Sequence, residues 1–296
     1  MPNIRDIKKK TLGVKNTQQI TRAMKMVSTA KLRQATIRLN ATMLYLRKLE
    51  QMTADVREVL STDSPIQTGF DHRPVKNIGV VVVAGERGLC GSFNSDIFKF
   101  SMSFLNSISG TGSQLFLIGN KARDYFKRYP KLPVIGFDFL INSNSSVDVV
   151  RKAARHAINC YTSKKIDELW IIFSEFVSIL ERRLTKVRLL PIDSSAKGGK
   201  IGKSEKKRVA GELIFDPSPE KLLSDLIPRY VEGLFMRALL ESAASEQSAR
   251  MIAMGAATDR AEDIIEQLTL TYNRTRQALI TKELSEVIAG ADSLAN

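Results

Sequence analysis

Two long stretches without proline, one at each end of the chain, constrain its fold more than any other feature. Residues 3–64 contain no proline and one glycine, Gly13, while residues 229–296 contain no proline and three glycines. An α-helix rises about 1.5 Å per residue, so about 60 residues would span roughly 90 Å. The average helix of a globular protein has only about 11–12 residues. The two ends therefore predict two very long helices, which favours a mechanical or scaffolding role.

Composition narrows the class of protein. Hydrophobic residues make up 43% of the 296 residues, which excludes a disordered chain. No apolar run approaches the roughly 18 residues that span a bilayer, and the N-terminus lacks the apolar core of a secretory signal, so we expect mature sequence without a membrane span. Two cysteines, Cys90 and Cys160, fit a reducing compartment better than a disulfide scaffold. They and the two histidines lack the short spacing of a zinc site, so we expect no metal.

The positive charge of the chain is unevenly placed. The formal net charge is +14. Residues 1–50 carry 12 Lys and Arg against Asp6 and Glu50, a net +10, whereas residues 229–296 carry 7 against 10 acidic residues, a net −3. Opposite signs favour pairing of the two predicted helices, although screened surface charges contribute little each. The surplus of positive charge predicts an acidic partner, which could be nucleic acid, anionic lipid or an acidic protein surface.

The first predicted helix changes character along its length. Its second half has apolar residues at the alternating spacing of three and four that is typical of coiled coils, with Thr42 and Thr53 as weak positions. These apolar positions are Leu32, Ala35, Leu39, Leu46, Leu49, Val56 and Leu60. The same register earlier in the helix is mostly polar or small: Ile7, Thr11, Val14, Gln18, Thr21, Lys25 and Ser28. We therefore expect the two halves to pack against different surroundings.

The last predicted helix is rich in small residues, which let neighbouring backbones approach closely. They are Ala238, Ser242, Ala243, Ala244, Ser245, Ser248, Ala249, Ala253, Gly255, Ala256 and Ala257. The first helix joins the middle of the chain by its C-terminus and the last helix by its N-terminus. If the two helices pair, they must therefore run antiparallel.

Residues 75–192 alternate between strand-like and helix-like patterns. Strands are predicted at 77–84, 114–118, 133–137 and 168–174, helices from 95 and at 120–128 and 146–163, and an extended stretch at 176–192. This alternation indicates a layered α/β domain with a mainly parallel sheet. A polar, lysine-rich loop follows at 193–210, then a candidate strand at 212–215, and Pro217, Pro219 and Pro228 mark the start of the last helix. The predicted segments are a long N-terminal helix at 1–64, a central α/β domain at 65–216 and a long C-terminal helix at 217–296.

The motifs that could carry chemistry are weak. Gly85, Gly88 and Gly91 follow a strand, but their spacing is not the dinucleotide-binding pattern, so a structural turn is favoured over a phosphate site. Gly202-Lys203-Ser204 lacks the earlier glycine of a P-loop. Nothing near Cys90 in the sequence would activate it as a nucleophile, which favours a buried structural thiol. We expect neither a catalytic site nor a bound cofactor.

Several strings of residues are specific enough to indicate a family. They are NTQQITRAMKMVSTAKLR at 16–33, GERGLCGSFN at 85–94, DPSPEKLL at 216–223, IPRYVEGLF at 227–235 and, from 244 to 291, ASEQSARMIAMGAATDRAEDIIEQLTLTYNRTRQALITKELSEVIAGA. These strings closely resemble the gamma subunits of rotary ATP synthases, and the resemblance covers essentially the whole chain. It implies an antiparallel coiled coil of the two terminal helices plus a Rossmann-like α/β central domain, which agrees with the patterns above.

The resemblance also implies a function. Gamma subunits form the central rotor shaft of the synthase, inside a ring of three alpha and three beta subunits. Their foot binds the epsilon subunit and the membrane ring of c subunits, and they couple proton flow to conformational cycling of the beta subunits and regulate ATPase activity. A bacterial enzyme is the expected source, with the subunit peripheral on the cytoplasmic face of the inner membrane.

Matching the motifs residue by residue implies contacts between shaft and ring. Met24 and Lys25 match the shaft segment that faces the beta subunits. Arg250 and three positions near the C-terminal tip match residues that make polar contacts, either between the shaft and the ring or between the two shaft helices. The three positions are Gln277, Thr281 and Glu283.

Two other functions remain open from the residues alone. A basic coiled-coil protein that binds nucleic acid would explain the charge, although Tyr45 is the only aromatic residue in the first 60 and offers little for base stacking. A nucleotide-binding enzyme would explain the α/β segment and its glycine turn. Neither explains the long terminal helices and their end motifs, so we expect no nucleic-acid partner.

Overall fold

The computed structural model describes residues 3–60, 73–108, 111–129, 132, 134, 147–192 and 218–295. In chain order its elements are α1 (Ile4–Leu60), β1 (Asn77–Val83), α2 (Phe93–Ser107), β2 (Gly112–Ile118), α3 (Asn120–Phe126), α4 (Val147–Thr162), β3 (Glu168–Phe176), β4 (Arg182–Leu190) and α5 (Pro219–Ala295). Both predicted terminal helices are present, with 57 residues in α1 and 77 in α5.

The chain divides into two compact units. One, the helical-pair unit, combines Met1–Thr29 with Arg250–Asn296, and the other, the sheet unit, comprises Ala30–Ala249. Both long helices contribute to both units, because a continuous helix can pack against different partners along its length. The division of the sequence into 1–64, 65–216 and 217–296 stays a prediction.

The apolar seam predicted for α1 is buried within the sheet unit. Six of its predicted positions are buried in the structure: Leu32, Ala35, Leu39, Leu46, Leu49 and Val56. Thr53, a weak position in the seam, is also buried, and its hydroxyl donates to the carbonyl of Leu49 at 2.7 Å. This bond satisfies the polar group within the helix, so that a threonine can occupy an apolar seam.

Of the three prolines predicted near the start of the last helix, one begins it and one lies inside it. Pro219 is the first residue of α5, a position where a missing N–H costs nothing, but Pro228 lies inside the helix. The helix therefore begins near the first residues of the segment predicted at 217–296 and continues through Pro228. An interior proline costs about 3 kcal/mol, and burial of the flanking apolar side chains offsets this cost. Those buried side chains are Leu223, Leu226, Ile227, Tyr230 and Val231.

The sheet is mainly parallel, as predicted. Its strand order is β2-β1-β3-β4; β1 pairs in parallel with β2 and β3, and β4 pairs antiparallel with β3. The extended stretch predicted at 176–192 is instead a turn at residues 177–181 followed by β4. Within the turn the amide of Ser178 donates to the carbonyl of Glu181 at 3.0 Å, which reverses the chain. We call β3, this turn and β4 the hairpin.

Helices cover both faces of the sheet, so that alternate residues of β1 enter different cores. Val80 and Val82 face a core formed with α2 and α3. Val81 and Val83 face a core formed with α4 and with apolar residues of α1 and α5, including Leu46 and Phe235. The three-layer arrangement, together with the long terminal helices, is the fold class predicted from the sequence.

Some predicted elements lie outside the described residues. These are the loop at 193–210, the candidate strand at 212–215 and most of the candidate strand at 133–137. Within the last of these, Val134 forms an isolated parallel bridge with Leu115 of β2.

Candidate functional site

In the helical-pair unit, α1 and α5 run antiparallel with a largely polar seam. The hydroxyl of Thr258 donates to the hydroxyl of Thr21 at 2.8 Å, and one turn further along α1 the side chain of Lys25 lies against Gly255. The residues buried in this unit include both apolar and polar ones: Ile7, Thr21, Ser28, Met254 and Ala261, with Arg250. The polar register predicted for the first half of α1 therefore forms a polar helix–helix contact.

The outer surfaces of the two helices in this unit carry opposite charge. Exposed cations lie on α1: Lys8, Lys9, Lys10, Lys15, Arg22 and Lys25. Exposed carboxylates lie on α5: Asp259, Glu262, Asp263, Glu266, Glu283 and Glu286. The side formed by α1 is thus strongly cationic, whereas α5 also carries Arg260, Arg274, Arg276 and Lys282 and is only weakly acidic.

The predicted contact residues fall into two groups along the helical-pair unit. Met24 is half-buried and Lys25 is exposed, whereas Arg250 is buried with 7% of its surface accessible. Gln277 and Thr281 are exposed and lie one turn apart on one face of α5. Lys25 lies against Gly255, and the 22 residues from Gly255 to Gln277 correspond to roughly 33 Å of helix. The two groups are therefore well separated along the unit.

Glu283 does not share the face of Gln277 and Thr281. It is exposed, but it follows Thr281 by two residues, which places it on the opposite side of the helix. The structure therefore brings only two of the three C-terminal candidates onto one face. What these residues bind stays a prediction.

The C-terminal part of α5 also carries an exposed apolar stripe that sequence reasoning missed. Its members are Ile280, Leu284, Val287 and Ile288. Their spacing of three and four residues was visible in the sequence and would have identified one face of a helix. An apolar helix face in water marks a surface that binds a partner.

In the sheet unit, α5 lies across the carboxyl ends of β1 and β3. The hydroxyl of Ser245 donates to the carbonyl of Ser174 at 3.1 Å, and the hydroxyl of Ser248 donates to the carbonyl of Ile179 in the turn of the hairpin. The small residues of α5 are thus used for close approach to the sheet. This edge is where ligands bind in open α/β sheets, and here it is occupied by the protein's own helix.

The glycine turn after β1 accommodates this helix. A Cβ at Gly85 would lie 3.0 Å from Cδ of Glu246 on α5, so a larger residue would displace this side chain. The amide of Gly85 donates to Oδ1 of Asn94 at 2.9 Å, which ties the turn to α2. These contacts support the structural interpretation of the turn.

Both cysteines are buried thiols in reduced form. Cys90 accepts a hydrogen bond from Nδ2 of Asn94 at 3.2 Å and lies in the core beside α2. Burial raises the pKa of the Cys160 thiol, an effect that nearby Lys165 only partly offsets. A raised pKa keeps the Cys160 thiol protonated and unreactive. Cys90 is 2% exposed, so the prediction of a buried thiol at this position is confirmed.

An ion pair stabilises the amino ends of β1 and β3. Arg73 contacts Asp167 at 2.7 Å and also donates to the carbonyls of Tyr161 and Ile166. Burial alone would raise the pKa of Asp167. The backbone amides of Asn77 and of residue 76 donate to its carboxylate, and together with the Arg73 charge they lower this pKa overall. The ionised carboxylate is thus the form that the fold stabilises.

Comparison with known proteins assigns the chain to a family. The family model described as ATP synthase matches residues 3–294. An ATP synthase gamma chain from Heliobacterium modesticaldum is 40% identical, over 99% of this chain and 100% of that protein. The chain belongs to the ATP synthase gamma-chain family.

Solved structures of ATP synthases have the same fold as this gamma-chain family member. The central stalk and c-ring of the Tetrahymena thermophila mitochondrial ATP synthase contains a chain that matches with a TM-score of 0.58 and 25% identity, over 80% of this chain and 99% of that one. A chain of the Euglena gracilis mitochondrial enzyme, in a structure of OSCP, F1 and c-ring, matches with a TM-score of 0.64 and 20% identity, over 98% and 94%. Among the described residues of our chain, no helix is long and apolar enough to cross a membrane.

Proposed function

We propose that this gamma chain is the central rotor shaft of an ATP synthase, coupling ion flow through a membrane ring to conformational cycling of catalytic beta subunits. The observation that carries the proposal is the antiparallel pairing of α1 and α5 in a chain that matches gamma chains over its full length. The name of the Tetrahymena neighbour, a central stalk with its c-ring, supports the same role.

The charge asymmetry of the helical-pair unit supplies a mechanism. Cations on α1 and carboxylates on α5 give the shaft different sides, so a surrounding ring of three alpha and three beta subunits would meet a different surface at each catalytic site. Each shaft angle then favours one conformation of each site, and turning the shaft changes the affinity of every site in sequence. The coupling is reciprocal, so ATP hydrolysis at the sites turns the shaft in reverse.

The packing of the shaft suits rotation inside a ring. Polar seam residues such as Thr21 and Thr258 hold the two helices together by a hydrogen bond, which leaves long cationic side chains on the outside. Screened, hydrated charges bind only weakly at a surface, so the shaft does not adhere at one angle. The exposed stripe Ile280, Leu284, Val287 and Ile288 would instead contact an apolar surface of the ring.

Within this proposal, the predicted contact residues act at two levels. Met24, Lys25 and Arg250 would lie at the level of the beta subunits. There the exposed Lys25 would complement an acidic surface, and the buried Arg250 would form contacts between the shaft helices. Gln277 and Thr281 would contact the ring nearer the tip through one face of α5, and Glu283 through the other. The sheet unit would form the foot that binds epsilon and the c-ring.

The chain itself would be a non-catalytic subunit that regulates ATPase activity without performing it. The occupation of the sheet's carboxyl edge by α5 supports this, because the place where related folds bind nucleotides is filled by Ser245 and Ser248. For a bacterial chain, the assembled enzyme would place this subunit on the cytoplasmic face of the inner membrane.

Reconstitution tests the proposal. The full chain is mixed with alpha and beta subunits from the same source, and assembly and ATPase activity are measured with and without it. We expect one gamma chain per ring and cooperative hydrolysis that depends on it. A chain that stays free, and instead retains random DNA at moderate salt with a steep salt dependence, would overturn the proposal in favour of a nucleic-acid-binding protein.

A further inference from the structure

A lysine takes part in the seam between the two helices of the helical-pair unit. Lys25 follows Thr21 by one turn of α1, and the buried Thr21 is hydrogen-bonded to Thr258 on α5. Because the two helices run antiparallel, the position opposite Lys25 lies about one turn before Thr258. That position is Gly255, and the side chain of Lys25 lies against it. A charged residue is thus part of the helix–helix contact, although it remains exposed to solvent.

The contact involves the whole outer end of the lysine. A Cβ on Gly255 would lie 3.5 Å from Nζ of Lys25, 3.6 Å from its Cε and 3.8 Å from its Cδ. Three consecutive atoms at nearly the same distance mean that the side chain lies across the backbone of α5 and does not point into it. A single methyl group on Gly255 would fit at van der Waals distance, whereas a branched side chain would occupy the space of the lysine.

Glycine is an unfavourable residue at this place in α5. Among residues other than proline it has the lowest helix propensity, because it loses the most backbone freedom on folding. The helix continues for many turns on both sides of Gly255, so no helix end requires a glycine here. A Cβ at Gly13 of α1 would meet nothing within 4 Å, whereas the space beside Gly255 is taken by Lys25. The missing side chain of Gly255 therefore makes room for the lysine.

The ammonium group of Lys25 has no carboxylate partner among the residues that the structure describes. Its own helix carries no acidic residue between Asp6 and Glu50. Asp259, one turn after Gly255 on the same face of α5, is exposed and forms no ion pair with it. A cation that lies along a helix and has no counter-ion within its unit can complement a carboxylate of another molecule.

We propose that Gly255 is a positioning residue, which lets Lys25 cross α5 and present its ammonium group at a fixed place on the shaft to a carboxylate of the surrounding ring. The ring as the source of the carboxylate rests on the shaft role proposed above, whereas the orientation of Lys25 by Gly255 does not. A lysine whose stem already lies along α5 loses less side-chain entropy when the ion pair forms. A larger side chain in place of Gly255 would move this charge without removing it.

Amine labelling of the full-length chain tests the orientation of Lys25. Mass spectrometry measures the rate at which an acylating reagent modifies Lys25 in the wild type, in Gly255→Ala and in Gly255→Val. The rate should stay unchanged in Gly255→Ala and rise about twofold in Gly255→Val, because two carbons on the β-branched side chain exclude the lysine from its place on α5. Neither change weakens the helix, since alanine and valine both have higher helix propensities than glycine.

Lys15, an exposed lysine of the same helix, is the control and should react at the same rate in all three chains. Equal rates at Lys25 in Gly255→Val and in the wild type would overturn the proposal.

Assembled complexes test the use of the oriented charge. Lys25→Ala removes the ammonium group and Gly255→Val displaces it, and each should change the ratio of ATP synthesis to hydrolysis by about fivefold. Because both changes act on one ion pair, the double variant should change this ratio no more than either single variant. The conservative variant Gly255→Ala should change it much less than Gly255→Val. Additive effects of the two substitutions, or a wild-type ratio in Gly255→Val, would overturn the presentation of Lys25 to the ring.

The two measurements give different results if the shaft role itself is wrong. A wild-type chain that does not assemble with alpha and beta subunits would remove the shaft role, while faster labelling of Lys25 in Gly255→Val would still support its orientation by Gly255. Complexes that assemble and couple, together with an unchanged labelling rate in Gly255→Val, would keep the shaft role and exclude Gly255 as a positioning residue.

Discussion

Gly233 on α5 lies directly against Leu46 on α1, so closely that a Cβ on the glycine would sit 2.6 Å from Cδ2 of Leu46. Leu46 is 1% exposed and belongs to the core shared by α1, α4, α5 and the sheet. It therefore has little freedom to move aside. This contact holds the two long helices at close range in the sheet unit.

Substitution of Gly233 by leucine should destabilise the sheet unit by about 1–3 kcal/mol, because it overfills a packed core. Gly13→Leu is the matched control, since a Cβ at Gly13 meets nothing within 4 Å, and it should stabilise the helix by about 0.5–1 kcal/mol. Urea unfolding measures both. Adding Leu46→Ala to Gly233→Leu should recover part of the loss, and no recovery would show that the contact is not the cause.

The ion pair of Asp167 with Arg73 should make the sheet unit sensitive to acid. Asp167→Asn is expected to cost about 2–4 kcal/mol at pH 7, because it leaves the half-buried Arg73 without its partner charge. Since the pKa of Asp167 is lowered in the fold, its contribution is present above the ordinary carboxyl pKa and is lost as pH falls through the folded value. Thermal unfolding from pH 7 to 3 should show the two chains converging; a constant difference would contradict the assignment.

Ser245→Ala tests whether α5 is fastened to the sheet edge. Loss of the buried hydroxyl leaves the carbonyl of Ser174 without this donor and should cost about 1–2 kcal/mol. Hydrogen exchange should accelerate in the hairpin more than elsewhere. Ser285→Ala, which removes an exposed hydroxyl bonded only within its own helix, should leave exchange in the hairpin unchanged.

Met24→Lys tests the role of the half-buried face of α1 in the proposed shaft. An added charge there should impair coupling more than assembly, with a change of about 1 kcal/mol, roughly fivefold, in ATP synthesis relative to hydrolysis. Met26→Lys compares the same change at an outward-facing position, because Met26 is 60% exposed in the free chain. Normal coupling in assembled Met24→Lys complexes would remove Met24 from the candidate contacts.

The fold was largely predictable because its strongest signals are local. Periodic burial of Leu39, Leu46 and Leu49, and the valine run of β1, follow from spacing alone. The helix that continues through Pro228 was not predictable from local rules, because the burial that offsets the proline comes from residues distant in sequence.

The candidate site was predictable in its parts but not in its arrangement. Small residues in α5 indicated close approach, yet the partners of Ser245 and Ser248 lie on the hairpin, roughly 70 residues earlier in the chain. The contact residues came from resemblance and not from periodicity, and the exposed stripe at Ile280 and Leu284 was missed although its spacing was visible. Only the fold decides which face of a long helix meets another element.

Strand β4 forms one edge of the sheet and carries Arg182, Arg183, Lys186 and Arg188 within nine residues. An open strand edge invites strands of other chains to pair with it, and a row of cations discourages such pairing by repulsion between copies. Repulsion between the cations of β4 on two copies would therefore oppose edge-to-edge pairing of free chains.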